Sequence, residues 1–141
     1  MDPQKNLAFN FLESQHFAVI STTGEDTPES ALVGFGERED FSLIVGTYIT
    51  TRKYENISKN PNVSLVIGFG PEKITIQYEG TAEIMPNEEK EEFKKLYHAK
   101  NPTAKKYESY PNQIYLKITP KWIRYTDYNK EPNEIFEINF P

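Results

Sequence analysis

Hydrophobic and polar residues alternate along most of this chain, with a period of two that predicts half-buried β-strands. The alternation is longest in KITIQYEGTAEIM. One face of this segment carries Ile74, Ile76, Tyr78, Gly80, Ala82 and Ile84, and the other carries Thr75, Gln77, Glu79, Thr81 and Glu83. The same period predicts strands at FAVISTTG, ESALVGFGERE, FSLIVGTY, NVSLVIGF, NQIYLKITPKWIRYTDY and NEIFEINF. We expect a hairpin turn near Glu39-Asp40, a bend at Pro120, and an apolar strand face made of Val63, Leu65, Ile67 and Phe69.

Two segments follow the helical period instead. The first opens with the cap Asp2 and a proline, and it should end near Gln15. The other begins after Pro86, with acids in its first turn and lysines later, as the helix dipole favours. Its expected buried stripe is Phe93, Leu96 and Tyr97. With a third, shorter helix, about seven mostly consecutive strands predict an α+β, mainly β fold, an antiparallel barrel in one domain over residues 1–141.

Composition narrows the function classes. The chain has 141 residues, of which 37% are hydrophobic and 26% charged, as expected for one globular core. A net charge of -5 without a basic run disfavours a nucleic-acid partner. The chain has no cysteine, which excludes disulfides and thiolate metal sites. No signal-peptide pattern and no apolar run near ~18 residues is present, so we expect a cytoplasmic protein without a membrane partner.

The third helix lies in GTYITTRKYENISKNP, residues 46–61. Thr50 or Thr51 is the candidate N-cap, and the Asn60-Pro61 pair is the expected stop. Arg52 and Lys53 would then lie in the first turn, where the dipole and the free N–H groups are already positive. Cations at such a position cost roughly 0.3–1 kcal/mol each, so their presence needs a reason.

Two hydroxyls, two cations and free N–H groups at one helix end make a candidate anion site. Arg52 would offer a bidentate fork to a phosphate, and Lys53 a point charge. The alternative is that both side chains turn into water or pair with Glu55 or a more distant acid, as surface cations commonly do. Spacing alone leaves both interpretations open.

The stretch GTYITTRKYENISKNPNVSLVI resembles the phosphate-binding segment of the pyridoxamine 5'-phosphate oxidase-like flavoproteins, the FMN-binding split barrels. In that family, a strand ending in Thr precedes a Ser/Thr-Arg-Lys helix start, and Asn-Pro-x-Val-Ser-Leu follows the helix. The matching residues here are Thr47, Thr51, Arg52, Lys53, Asn60, Pro61, Val63, Ser64 and Leu65. PESALVGF upstream and ITIQYEGTAEI downstream extend the resemblance to about residues 5–127.

The resemblance implies a dimer of six- to seven-stranded split β-barrels with two FMN molecules at the subunit interface. FMN would perform an oxidoreductase reaction with a small-molecule electron donor or acceptor. Its phosphate and ribityl end would contact Thr47, Thr50, Thr51, Arg52 and Lys53. Its ring would lie beside Ala31, Leu32 and Val33, and near Thr75 and Gln77. The C-terminal strand would bring Trp122, Arg124 and Tyr125 to the flavin of the partner subunit, although Trp122 has the alternative role of a core or interface anchor.

The chain also departs from the family. The true oxidases carry Arg at the position of Ala31 and Lys at that of Gly36, and they end with an Arg-x-His segment. After Trp122 this chain reads IRYTDYNKEPNEIFEINFP, which contains no histidine. The resemblance therefore does not extend to the pyridoxamine 5'-phosphate substrate site.

Two other functions remain open. One is a non-catalytic module on the same fold that holds flavin, a deazaflavin or haem. The other is a non-flavin barrel with an interaction role, such as an OB-like nucleic-acid binder, which the acidic balance disfavours. His16 and His98 have no metal-ligating partner at a useful spacing, so we expect structural or surface roles for both.

Overall fold

The computed structural model describes all 141 residues, Met1–Pro141. Its strands are β1 (Phe17–Thr23), β2 (Pro28–Gly34), β3 (Gly36–Glu37), β4 (Leu43–Tyr48), β5 (Asn62–Phe69), β6 (Ile74–Ile84), β7 (Gln113–Asp127) and β8 (Glu134–Asn139). The α-helices are α1 (Pro3–Ser14), α2 (Arg52–Lys59) and α3 (Asn87–Lys100), and a 3₁₀ helix, Pro102–Ser109, follows α3. The alternation of the sequence gives no signal for this 3₁₀ helix. No helix combines the length and hydrophobicity that crossing a membrane requires.

The strands form one antiparallel sheet in the order β2-β1-β5-β6-β7-β4-β3, and β8 pairs with β7. β2 and β3 stand at opposite ends of this order, yet only Phe35 separates them in the chain. The sheet therefore curls until its two ends come together. This arrangement confirms the mainly β, antiparallel split barrel that the sequence predicts.

The predicted strand ESALVGFGERE is wrong as a single element, because it breaks at Phe35 into β2 and β3. The Phe35 N–H donates to the carbonyl of His16 at 3.3 Å. The Phe35 carbonyl accepts from Asn101 Nδ2 at 2.9 Å. Both backbone groups bond outside the strand ladders while the ring is fully buried. This break gives eight strands where six or seven were expected.

β7 uses one edge for two neighbours. Residues 113–118 pair with β4, and residues 122–127 pair with β8. Between these two parts, the register with β6 shifts beside Gly80, which pairs with Pro120. A Cβ at Gly80 would lie 2.4 Å from the Thr119 carbonyl oxygen, so the close approach of the two strands requires glycine. The irregularity expected at Pro120 is therefore a β-bulge.

The main core joins the inward faces of the strands to α1, which buries Ala8, Phe11 and Leu12. Three residues of the predicted apolar faces and buried stripe are exposed, namely Phe69 at 47%, Ile84 at 60% and Leu96 at 40%. The first two are the last residues of β5 and β6. Leu96 lies beside the buried stripe of α3, on a groove between α1 and α3.

α3 packs on β3 and β4 through a smaller core. Its members are Ile44, Met85, Phe93, Tyr97 and Tyr115. His98 lies at the edge of this core, with Nε2 3.3 Å from the Tyr115 hydroxyl and 4.0 Å from the carboxylate of Glu108. Burial lowers the pKa of His98 below its ordinary value of 6.5, and the charge of Glu108 opposes this only in part. The folded protein therefore favours the neutral imidazole.

We predict that His98 makes the protein less stable in mild acid. Since its folded-state pKa is depressed, the stability that it contributes is complete above pH 6.5 and is lost as the pH falls through the folded-state pKa. Between about pH 7 and about pH 5, the melting temperature of a His98→Gln variant should fall less than that of the parent. His16→Gln, at an exposed position, is the control. Equal acid sensitivity of His98→Gln and the parent would contradict the prediction.

Candidate functional site

A cavity of about 290 Å³ opens where α2 begins, between this helix and strands β1 and β2. Its lining is Ile20, Thr22, Glu29, Ser30, Ala31, Thr51, Arg52 and Lys53. β2 is an end strand of the sheet, so the cavity lies at the split of the barrel. Strand pairing fixes its wall, because Thr22 pairs with Glu29 and Ile20 pairs with Ala31.

Thr51 is the N-cap of α2 and fixes where the helix starts. Its Oγ1 accepts from the N–H of Tyr54 at 3.2 Å and donates to the carbonyl of Tyr48 at 2.9 Å. Thr50 is exposed in the preceding turn and does not line the cavity. Thr47 is buried, 3.3 Å from Thr51 between hydroxyl oxygens, and it lines a separate cavity of about 200 Å³. Of the three threonines predicted at the phosphate end, only Thr51 lies in the cavity wall.

Arg52 reaches from α2 to β2. Its Nη1 lies 2.5 Å from Oε2 of Glu29, whose side chain is 23% exposed against 78% for Arg52. Asn56 Nδ2 donates to Oε1 of Glu29 at 3.0 Å and to Thr22 Oγ1 at 3.0 Å. The carboxylate is therefore the fixed partner, and the guanidinium is the movable one. Pairing with a distant acid, one of the two interpretations of the sequence, is present in this structure.

Lys53 is half-buried in the same cavity wall. Burial lowers the pKa of its ammonium, and no carboxylate opposes that effect. A partly desolvated cation at the positive end of a helix is unfavourable unless an anion compensates it. The cavity is therefore suited to an anionic group.

The three predicted residues of β2 divide between the two faces of the sheet. Ala31 lines the cavity, while Val33 is buried in the core. Leu32 points outward and is 70% exposed. It pairs with Val19, and Val19 pairs with Val66 of β5, so these three exposed side chains form an apolar strip on the outer face.

The remaining predicted residues lie away from the cavity within one protomer. Thr75 and Gln77 are on β6, and Trp122 and Arg124 are on β7, three and four strands from β2. Gln77 and Arg124 pair across the outer face. Trp122 Nε1 donates to Glu137 at 2.8 Å, and Arg124 Nη2 donates to the same carboxylate at 2.7 Å. A shared role with Arg52 would require a second protomer.

Tyr125 occupies the core rather than this outer face. Its side chain is 3% exposed, and its ring stacks on Phe136 with the centroids 4.7 Å apart. Successive residues of a strand point to opposite faces, so Tyr125 cannot share a surface with Trp122 and Arg124. Contact with a cofactor would require the ring to leave the core.

Gly36 marks the contact between β3 and α3. A Cβ at this position would lie 2.9 Å from the Cα of Tyr97 and 3.1 Å from its backbone nitrogen. No side chain therefore fits at this position while α3 stays in place. The lysine that the resemblance leads one to expect at this position is excluded by packing.

We predict that Gly36→Ala lowers the free energy of unfolding by about 1–3 kcal/mol, because the added methyl group collides with the backbone of α3. Gly34→Ala is the matched control, since its Cβ would meet nothing closer than the Tyr97 hydroxyl at 3.4 Å. Chemical denaturation of both variants measures the difference. Unchanged stability of Gly36→Ala would show that α3 moves freely away from β3.

Comparison with known proteins finds a family whose model matches this chain. The family model described as Pyridoxamine 5'-phosphate oxidase matches residues 6–127. Among curated proteins, none matches the chain. The General Stress Protein 26 from Bacillus anthracis is 27% identical, with a TM-score of 0.74, over 96% of this chain and 98% of that one.

Two further structures share the fold at lower identity. A pyridoxamine 5'-phosphate oxidase-related, FMN binding protein from Nostoc punctiforme has a TM-score of 0.69 at 13% identity, over 100% of this chain and 98% of that one. A heme binding protein from Mycobacterium smegmatis has a TM-score of 0.83 at 14% identity, over 99% of this chain. The present chain spans only 59% of the length of that protein.

Sequence reasoning missed several polar residues of the site, above all Glu29 and Asn56. Glu29 and Asn56 contact each other from β2 and α2, 27 positions apart. No spacing rule joins them, because their contact depends on how α2 packs beside the β1–β2 hairpin. The motif around Arg52 marks the helix start but not the acid that faces it.

Proposed function

Because the chain belongs to the pyridoxamine 5'-phosphate oxidase family, we propose that it binds FMN through the cavity at the start of α2 and acts as an FMN-dependent oxidoreductase. The observation that carries this proposal is the pair of cations at the helix start, where Lys53 has no compensating carboxylate. A phosphate monoester has the charge and the acceptor oxygens that suit Arg52, Lys53 and the free N–H groups of the first turn. The Nostoc punctiforme neighbour, named as FMN binding, supports the same ligand.

The cavity fits the phosphate end of FMN better than the whole molecule. Its volume of about 290 Å³ lies at the lower end of the roughly 300–1,000 Å³ typical of complete small-molecule sites. Thr51 lines it together with the two cations, which suits a phosphate and the start of a polyol chain. The flavin ring would then extend onto surface outside the cavity.

When bound, FMN supplies hydride or electron transfer through its flavin ring. The residues of this chain act by position. Thr51 fixes the helix start, and Arg52 and Lys53, which line the cavity, would neutralise the phosphate. Glu29, the one acid in the cavity lining, accepts a hydrogen bond from Asn56 and pairs with Arg52 in the ligand-free protein.

The substrate in this proposal is a small-molecule electron donor or acceptor other than pyridoxamine 5'-phosphate. Ala31 stands where the resemblance leads one to expect an arginine, and α3 covers Gly36, where it leads one to expect a lysine. β8 carries no histidine. A cytoplasmic location stays an expectation from the sequence.

The absorption spectrum of the purified protein tests the cofactor. We expect a flavin spectrum and the release of FMN on denaturation, identified by mass spectrometry. A haem spectrum, suggested by the name of the Mycobacterium smegmatis neighbour, or a deazaflavin would contradict FMN. Bleaching of the flavin by NADH or NADPH would support an oxidoreductase, and failure of every donor tried would favour a non-catalytic flavin module.

Arg52→Ala is predicted to weaken FMN binding roughly tenfold to a hundredfold, because a hydrogen bond to a charged group is worth about 1.5–3 kcal/mol. The apo protein should lose at most about 1 kcal/mol of stability, since the Arg52–Glu29 pair is largely exposed on the arginine side. Lys53→Ala should weaken binding less, because a flexible ammonium is less fixed in geometry.

Fluorescence titration of the apo variants with FMN measures this effect, and thermal melts measure their stability. Lys59→Ala is the control, since Lys59 lies at the other end of α2 and pairs with Glu25 and Glu55. Unchanged FMN affinity in Arg52→Ala would rule out the phosphate contact. A sharp loss of apo stability would identify Arg52 as a structural ion-pair partner instead.

We also propose that the protein is a homodimer that buries the apolar strip. Leu32, Val19 and Val66 stand side by side across three strands, and Leu32 alone is 70% exposed. Burying adjacent apolar side chains is the main favourable contribution to such an interface. A second protomer would also supply the surface that the small cavity lacks.

Light scattering should give about twice the 16.4 kDa chain mass for the parent. Leu32→Glu should shift the protein to the monomer without unfolding it, because this side chain lies outside the core. Leu96→Glu, an exposed leucine on α3, is the control and should stay dimeric. A parent that is monomeric with flavin bound would overturn the proposed dimer.

A further inference from the structure

The carboxylate of Glu29 is built into the wall of the cavity. Strand pairing places it opposite Thr22, and Asn56 Nδ2 donates to its Oε1 at 3.0 Å. The same amide also donates to Thr22 Oγ1 at 3.0 Å, so the Asn56 side chain connects α2 to both strands of the β1–β2 hairpin. The second carboxylate oxygen, Oε2, faces Arg52. Glu29 therefore stays in place whichever way the arginine turns.

The cavity thus has two cations and one fixed anion in its lining, Arg52, Lys53 and Glu29. The neighbouring acids do not share this role. Glu25 and Glu55 lie 3.6 Å and 3.5 Å from the ammonium of Lys59, which belongs to the last turn of α2. Glu29 alone therefore competes with an incoming anion for the guanidinium.

Resting on the FMN site proposed above, we propose that Glu29 is a specificity-determining residue that acts as an internal counter-ion and competes with the ligand phosphate for Arg52. In the ligand-free protein, Glu29 occupies Nη1 of Arg52. When a phosphate dianion enters, Arg52 turns from the carboxylate to the phosphate, and the two anions then repel each other across the cavity. Glu29 thereby lowers the affinity for doubly charged phosphate groups while leaving uncharged ligands unaffected.

The test is Glu29→Gln, which removes the charge and keeps an oxygen for the Asn56 hydrogen bond. FMN and riboflavin, which lacks the phosphate, are titrated into the apo proteins at low and high salt. We expect the Kd for FMN to fall about threefold to tenfold at low salt, with a smaller change at high salt. The Kd for riboflavin should not change. Glu55→Gln is the matched control, because it removes the same charge from α2 without touching Arg52, and FMN affinity should stay within about twofold.

A double-mutant cycle separates competition from general repulsion. In an Arg52→Ala background, Glu29→Gln should give a smaller gain in FMN affinity, since no guanidinium remains to compete for. An equal gain in both backgrounds would overturn the competition, as would an equal gain for riboflavin. Weaker or unchanged FMN binding by Glu29→Gln, in protein with an unaltered melting curve, would also overturn it.

A parent protein that binds no FMN would refute the proposed function but would still leave Glu29 testable. Inorganic phosphate is then the probe, followed through the side-chain NMR signal of Arg52 in the parent and in Glu29→Gln. Tighter phosphate binding by the variant would support the competition without FMN. Equal binding by both proteins would overturn it.

Discussion

Phe35 holds the two ends of the sheet together with two backbone hydrogen bonds that belong to no strand ladder, one to His16 and one from Asn101. Its ring is fully buried in the main core, which ties the β2–β3 junction to the interior of the barrel. This junction forces the sheet to curl and leaves a split between β2 and the β4–α2 connection. Thr51 caps α2 at that split, and the cavity follows from the two constraints together.

The sequence predicts the strands better than the connections. β6 follows its alternation because its inward face, from Ile76 to Ala82, is buried in the main core. The alternation fails at Phe69 and Ile84, the last residues of their strands, whose side chains are only partly covered. The break at Phe35 was also beyond prediction, because it depends on an amide of Asn101 that lies 66 positions away.

In the candidate site too, features set by neighbouring residues could be predicted, and contacts between residues far apart in the chain could not. The helix cap and the two cations are local features, so a short stretch around Thr51 predicts them. The acid that faces Arg52 depends on the β1–β2 register and on the packing of α2, which no local pattern encodes. The sequence therefore predicts where an anion would bind, while the structure adds the residue that opposes it. Neither source brings Trp122 and Arg124 to the cavity. They lie on β7, four strands from β2, so an approach to α2 would require another protomer.

Two ion pairs in this molecule each join a cationic side chain to a glutamate, but they differ in mobility. The side chains of Lys100 and Glu37 are 10% and 6% exposed, and the ammonium nitrogen lies 2.7 Å from a carboxylate oxygen. Burial raises the pKa of Glu37 and lowers that of Lys100. The ammonium also contacts the carbonyl of Leu12 and the ring of Phe35, so removing either partner would strand a buried charge at a cost of about 3–5 kcal/mol. Arg52, at 78% exposure, can leave Glu29 for about 1 kcal/mol or less. Burial thus makes the Lys100–Glu37 pair a permanent contact between α1, β3 and α3. Exposure makes the Arg52–Glu29 pair exchangeable. An arginine that binds a ligand needs this property.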